Sequence, residues 1–272
     1  MNAPIGVFDS GIGGLSVLKA LRTTLPHEDF IYLADNGHAP YGERDKKHVL
    51  ARSRAVTQYL AQKNIKALVV ACNTATAAAI DLLRTERPCL PIIGVEPAVK
   101  PAVALSKTGR IGVMATRSTL TSARFQALVA AQADVAKFVL QPCDGLADAI
   151  ERGTNLADAT EIIAVCASHT GAMGIFGTQP GQIDTLVLGC THYPFVSEHL
   201  QALVGNDVML VETGEAVARQ TRRLLRAAAG SSSPAVTRPG RITLITTGNA
   251  YTLKAAAEHW LALHEPINLL RI

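Results

Sequence analysis

The 272-residue sequence lacks most of the features that would mark export, a membrane or a nucleic-acid partner. No apolar run approaches the about 20 residues that a membrane-spanning helix needs. The opening stretch MNAPIGVFDSG has neither a basic nor an apolar segment, so it does not read as a secretory signal peptide. Aromatics are scarce, with one Trp, five Tyr and six Phe, which leaves little material for a platform on which bases could stack. Charge of one sign is also missing, since 26 Lys and Arg against 22 Asp and Glu leave a formal +4. The basic residues are scattered, and GERDKKHVLARSR (42–54) reads as a solvated helix face. No nucleic-acid and no membrane partner is expected.

Cysteine pairs are absent as well. The five cysteines, at 72, 89, 143, 166 and 190, form no CxxC and no spacing typical of zinc ligands. An odd, unpatterned set reads as reduced thiols in a cytoplasmic protein. Cys89 and Cys166 read as small buried hydrophobes.

The sequence does contain a regular alternation. Apolar residues make up 48% and charged residues 18%, which suits a globular chain with a sizeable core. Strand-like runs PIGVF (4–8), FIYLA (30–34), ALVVA (67–71) and PIIGV (91–95) alternate with helical segments near 14–24, 45–63, 73–86 and 97–106. This βαβα pattern predicts a mostly parallel sheet covered on both faces. A second series starts at RIGVM (110–114), continues through a helix near 118–132 and KFVLQ (137–141), and reaches DTLVLGC (184–190) and a helix near 195–204. GRITLITTG (240–248) reads as a last strand with an amphipathic helix behind it. AAGSSSPAVTRPG (228–240) has the composition of a linker.

The two series match each other. IGVFDSGIGGLSVLKAL from residue 5 answers IGVMATRSTLTSARFQAL from residue 111, and LVVACNTA from residue 68 answers LVLGCTHY from residue 186. A duplicated α/β unit follows, with thiols at the carboxyl ends of equivalent strands. Ligands of open parallel sheets bind at those ends, and the polar clusters fall there: Asp9 and Ser10, then GIGG (11–14), then Cys72 with Asn73 and Thr74, then Cys190 with Thr191 and His192.

Two facing units would set Cys72 and Cys190 on opposite sides of one small ligand. Inverting a stereocentre needs a group that removes a proton from one face and another that delivers one to the opposite face, and a thiolate and a thiol can do both and exchange roles. Helix N-termini after each cysteine favour thiolate. Asp9 can serve Cys72 as proton acceptor, and His192 can serve Cys190. N–H and OH donors from GIGG, Asn73, Thr74 and Thr191 suit carboxylates.

Plainer readings exist for each part: a strand-end cysteine packs, Asp9 caps a helix, PYGER (40–44) is a turn with an exposed tyrosine, and His192 with Cys190 is half a metal site. SGIGGLS is not GxGxxG and lacks the Lys of a phosphate loop. A hydrolase using Cys190 and His192 would leave Cys72 unexplained, and a non-catalytic amino-acid-binding module would have no need of two thiols.

FDSGIGGLSV, APYGER, ACNTATA and LGCTHYP, in this order and over nearly the whole chain, resemble the glutamate racemases of the aspartate/glutamate racemase superfamily. The resemblance implies two pseudo-symmetric α/β domains with mostly parallel sheets and the active site in the cleft between them, residues 1–97 with 210–272 forming one and 98–209 the other. It implies interconversion of L- and D-glutamate without cofactor or metal, supplying D-glutamate for peptidoglycan, with a homodimer admitted. An aspartate or hydantoin racemase of the same superfamily is the alternative. By the family pattern Cys72 deprotonates D-glutamate with help from Asp9, and Cys190 deprotonates L-glutamate with help from His192. Glu151, in CDGLADAIERG, completes the acid–base set. Ser10, Tyr41, Gly42, Asn73, Thr74, Thr191 and His192, with Thr116 and Thr119 in MATRST, take the substrate-contacting positions.

Overall fold

Residues 3–153, 159–229 and 238–272 are described by the computed structural model; positions 230–237 of the linker-like segment 228–240 lie outside them. The short apolar runs become strands, all parallel to their neighbours. Ile5–Asp9 (β1), Phe30–Ala34 (β2), Ala67–Val70 (β3), Ile92–Gly94 (β4), Ile242–Thr246 (β9) and Ile267–Leu269 (β10) form one sheet in the order β10-β9-β2-β1-β3-β4. Arg110–Ala115 (β5), Lys137–Pro142 (β6), Thr185–Leu188 (β7) and Met209–Val211 (β8) form a second sheet in the order β6-β5-β7-β8.

The second sheet repeats the order β2-β1-β3-β4 of the first, and the register repeats with it. Phe8 pairs with Val70, and Met114 with Leu188. One residue further, Ala71 N–H donates to Phe8 O at 2.8 Å and Gly189 N–H to Met114 O at 2.7 Å. The next residues are Cys72 and Cys190. The two thiols therefore leave their sheets at equivalent points, as the matched octets imply.

The central strands of each sheet are buried on both faces, which is why they read as continuous apolar runs. Ile5, Val7, Ala67 and Val69 enter one core cluster, while Phe8, Leu68 and Val70 enter another on the opposite face. In the second sheet Ile111, Val113 and Val187 face one cluster and Met114, Leu186 and Leu188 the other. Helices supply the covering layers. Leu15–Thr24 (α1) packs against Gly214–Ala229 (α10), whose Val217 and Ala218 join the cluster of β1. Lys46–Gln62 (α2) starts at Asp45, whose carboxylate accepts from His48 N–H at 2.7 Å. Asn73–Glu86 (α3) starts at Cys72 itself.

Several details differ from the sequence reading. The helix expected near 118–132 is two helices, Arg117–Thr121 (α5) and Ala123–Ala130 (α6), because Ser122 is extended and its hydroxyl caps the second by accepting from Phe125 N–H at 3.2 Å. Leu146–Gly153 (α7) and Thr160–Gly171 (α8) fill the stretch before β7. Cys166 is buried in α8, but Cys89 is exposed, because it follows Pro88 in the loop after α3 rather than lying in an apolar run. No helix among the described residues is long and apolar enough to cross a membrane.

The two sheets are joined by side chains as well as by the chain. Phe195, in the short turn Tyr193–Val196 after the second cysteine strand, stacks on Trp260 of Ala250–Leu261 (α11), with centroids 4.6 Å apart. Phe195 packs against a core cluster of each sheet. Phe195→Ala should lower the unfolding free energy by about 2 kcal/mol, since a large aromatic and its stacking contact with Trp260 are lost. Urea unfolding followed by the lone tryptophan measures this, and a change under about 0.5 kcal/mol would show that the stack is not a structural joint.

Candidate active site

Where β1 and β3 end, three side chains meet. Cys72 is the N-cap of α3, and its sulfur accepts from Ala75 N–H at 3.4 Å. The Cys72 thiol reaches the Ser10 hydroxyl at 3.6 Å, and that hydroxyl reaches Asp9 Oδ1 at 3.5 Å. Asp9 Oδ2 accepts from Gly14 N–H at 2.7 Å, so the carboxyl also ties down the turn into α1. Asp9 is thus both the helix anchor of the plainer reading and a group behind Cys72, with Ser10 between them. It is completely buried.

The second thiol has a different escort. Cys190 Sγ lies 3.6 Å from His192 Nδ1, and His192 Nε2 lies 2.8 Å from Glu151 Oε1. Glu151 comes from α7, and the same oxygen accepts from Ile12 N–H of the opposite half at 3.2 Å. Ser16 adds a second tie between the halves, its hydroxyl donating to Thr191 O at 2.8 Å. This contact explains the glycine-rich turn. A Cβ on Gly11 would sit 1.8 Å from Glu151 Oε1, and one on Gly13 would sit 2.4 Å from His192 Nδ1. Bare backbone is required there so that the second half's Glu151 and His192 can approach.

Both thiols line one cavity of about 240 Å³. Ser10, Tyr41, Gly42, Asn73, Thr74, Thr116, Glu151, Thr191 and His192 line it with them. Asp9 and Thr119 do not; Thr119 sits behind Thr116, accepting from its hydroxyl at 2.9 Å. Thr116 also meets Thr74 across the cleft at 3.1 Å. Among the described residues, both amide atoms of Asn73 are buried without a hydrogen-bond partner. Leaving a buried amide unpaired costs about 1–3 kcal/mol per group, so this side chain is ready for a polar ligand. Tyr41 is buried rather than an exposed turn residue, and its hydroxyl donates to Asp35 at 2.5 Å.

Sequence reasoning passed over Asn36 and Cys143, which also line the cavity. Both follow strand ends, β2 and β6, and the rule that ligands sit beyond such ends would have found them. No Lys or Arg is among the described lining residues, so an anionic ligand is met by hydroxyls, amides and His192. Among the described residues no group of three or more His, Cys, Asp or Glu could hold a metal ion, which leaves His192 and Cys190 without the rest of a metal site.

A family model described as Asp/Glu/Hydantoin racemase matches residues 5–221. The chain is 48% identical over 242 residues to a glutamate racemase of Ectopseudomonas mendocina, covering 89% of this chain and 88% of that one. It is 46% identical to one of Herpetosiphon aurantiacus, covering 90% and 93%. Among solved structures, glutamate racemase isoform RacE1 of Bacillus anthracis superposes with a TM-score of 0.86 at 30% identity over 100% of this chain and 98% of that one. The Escherichia coli glutamate racemase, solved with L-glutamate and an activator, UDP-MurNAc-ala, gives 0.84 at 28% identity, covering 98% of each.

Electrostatics separates the two sides. Burial pushes the Cys72 thiol well above its ordinary value, the neighbouring Asp9 adds to this, and the Ala75 N–H and Ser10 only partly offset it. The helix N-terminus expected to favour thiolate here is outweighed by desolvation. Burial also raises the Asp9 carboxyl, with His192 and Gly14 N–H opposing. On the other side, burial disfavours charge on His192, but the hydrogen bonds to Cys190 and Glu151 overcome it and hold the imidazole well above its usual range. Glu151 likewise resists desolvation and is held below the ordinary carboxyl range by His192 and Ile12 N–H.

The stability of this pair has a defined pH window. Because the folded value of Glu151 is depressed, its contribution is present above the ordinary carboxyl range and is lost as pH falls through the folded value. Because the folded value of His192 is raised, its contribution is complete below the ordinary imidazole range and is lost as pH rises through the folded value. Between those limits Glu151→Gln should destabilise the protein most, with a smaller penalty on either side. Urea midpoints of both proteins across pH test this; a penalty constant with pH would mean that the pair is not ionic.

Proposed function

The chain belongs to the Asp/Glu/Hydantoin racemase family, and we propose that within it the protein is a glutamate racemase using Cys72 and Cys190 as its two acid–base groups. The observation that carries the reading is the convergence of two sequence-equivalent thiols, from equivalent strands of two like sheets, on one small cavity. The choice of glutamate follows the relatives of closely similar length.

The α-proton of L-glutamate passes to the Cys190 sulfur, and the Cys72 thiol delivers a proton to the opposite face of the carbanion. D-glutamate runs the sequence backwards. Burial keeps Cys72 protonated in the resting site and so ready to donate. On the Cys190 side, the His192 imidazolium lies 3.6 Å from the sulfur, placed to stabilise the thiolate form that takes the α-proton. Glu151 orients that imidazolium and shares its charge. Asp9 acts on Cys72 through Ser10. Asn73, Thr74, Thr116 and Thr191, with the loop of Tyr41 and Gly42, hold the carboxylates and ammonium, and Thr119 steadies Thr116.

The same reading takes residues 1–97 with 210–272 as one domain and 98–209 as the other; the return of β9 and β10 to the first sheet and of α10 to α1 supports this division, while the pairing of β8 with β7 carries the second unit on to Val211. It places the protein in the cytoplasm, where thiols stay reduced, and has it supply D-glutamate for peptidoglycan. A homodimer is the assembly it admits.

Cys72→Ala and Cys190→Ala should each lower racemisation of both enantiomers by more than about 10³-fold, the scale expected for a lost acid or base. Circular dichroism of the glutamate solution follows the reaction, and the variants' own far-ultraviolet spectra report folding. A folded variant of either kind at wild-type rate would overturn the two-thiol scheme. Turnover of aspartate in place of glutamate would keep the scheme and change the substrate.

A further inference from the structure

A carboxylate shut away from water is costly unless its lone pairs are filled. Asp35, the residue after β2, is completely buried and its lone pairs are filled from three directions. It accepts from Arg52 Nε at 3.0 Å and Nη2 at 2.8 Å, from the Tyr41 hydroxyl at 2.5 Å and from the Thr247 hydroxyl at 2.7 Å. Arg52 projects from α2, Thr247 follows β9, and Tyr41 belongs to the loop that Asp35 begins. The Thr247 oxygen accepts in turn from Gly37 N–H at 3.2 Å. Loop 36–43 is therefore pinned at its base through Gly37 and near its tip through Tyr41, both to one carboxylate.

The loop is also a wall of the cavity. Asn36, Tyr41, Gly42 and Glu43 line it, whereas Asp35, Arg52 and Thr247 do not. At the tip, a Cβ on Gly42 would lie 3.0 Å from Thr116 Cγ2, so the loop of the first half already abuts α5 of the second. The tip therefore meets the second half at the edge of the cavity. The Tyr41 hydroxyl is occupied by Asp35, so this side chain anchors the loop and the loop's remaining atoms face a ligand.

We propose that Arg52, acting through Asp35, is a positioning residue that sets the height of loop 36–43 over the cavity and thereby the affinity for substrate. The proposal rests on the reading of the cavity as the amino-acid site. Arg52 is suited to the task because its planar fork makes two parallel bonds to one carboxylate, which a lysine cannot reproduce. The loop brings no group that takes or gives the α-proton. Loosening it weakens ground-state and transition-state binding together, which raises KM and leaves kcat nearly unchanged.

Arg52→Lys should raise KM for glutamate about tenfold, and Thr247→Val about threefold, with kcat within about twofold of wild type. The rise should be the same with L- and D-glutamate. Amide hydrogen exchange of residues 37–44 should quicken in both variants, while that of 68–80 around Cys72 stays as in wild type. Unchanged KM with unchanged exchange would overturn the proposal, and so would a fall in kcat at constant KM. If Arg52→Lys fails to fold, Thr247→Val, which keeps the branched shape, decides alone. If the wild-type protein does not turn over glutamate, the function reading falls, and the exchange rates still decide whether Arg52 holds the loop.

Discussion

The line Cys190–His192–Glu151, continued to Ile12 N–H, is the contact on which the rest of the site depends. It crosses from one half of the molecule to the other, so it is a structural clasp as well as the acid–base array of the proposed reaction. A single Glu151 oxygen accepts from an imidazole of its own half and from a backbone N–H of the other. Glu151, which the approach of α7 to the turn 11–14 also ties to the first half, is the counter-charge of His192, and without it burial would favour the neutral imidazole. The bare glycines of that turn are what permit the approach.

Around this clasp, two sheets that share one four-strand order carry unlike surroundings. Strand order, register and cysteine position repeat between them, whereas the groups behind the cysteines do not. Cys72 is backed by Ser10 and a desolvated Asp9, in an environment that resists negative charge. Cys190 is backed by an ion pair that tolerates it. In the proposed reaction this difference sets Cys72, kept protonated by burial, against a sulfur that lies beside the His192 ring. A duplicated fold supplies the two opposed positions, and local substitutions supply the chemical polarity between them.

How much of this could be read beforehand varied with the physics involved. Most strand positions were legible because the central strands are buried on both faces, which leaves continuous apolar runs such as ALVVA and TLVL; the short, partly exposed edge strands Met209–Val211 and Ile267–Leu269 leave no such run and were passed over. Cys72, Cys190, Asp9 and His192 were legible because they sit beside those runs. Glu151 was reachable only through family resemblance, since its partners His192 and Ile12 are 41 and 139 residues away in sequence. The broken helix at Ser122 turned on one hydroxyl cap, a local detail that apolar periodicity does not carry. The exposure of Cys89 reflects loop placement after α3, and the burial of Tyr41 reflects a carboxylate six residues before it that the distant Thr247 and Arg52 also hold. Composition cannot report such long-range polar contacts.

The most direct measurement is proton NMR of the purified protein with L-glutamate in D₂O, combined with separation of the enantiomers at early conversion. Two thiols on opposite faces predict deuterium at Cα of the D-glutamate formed, while the unconverted L-glutamate keeps its proton. Equal deuterium in both enantiomers at early times would point to a single exchanging base, and would contradict the division of the reaction between Cys72 and Cys190.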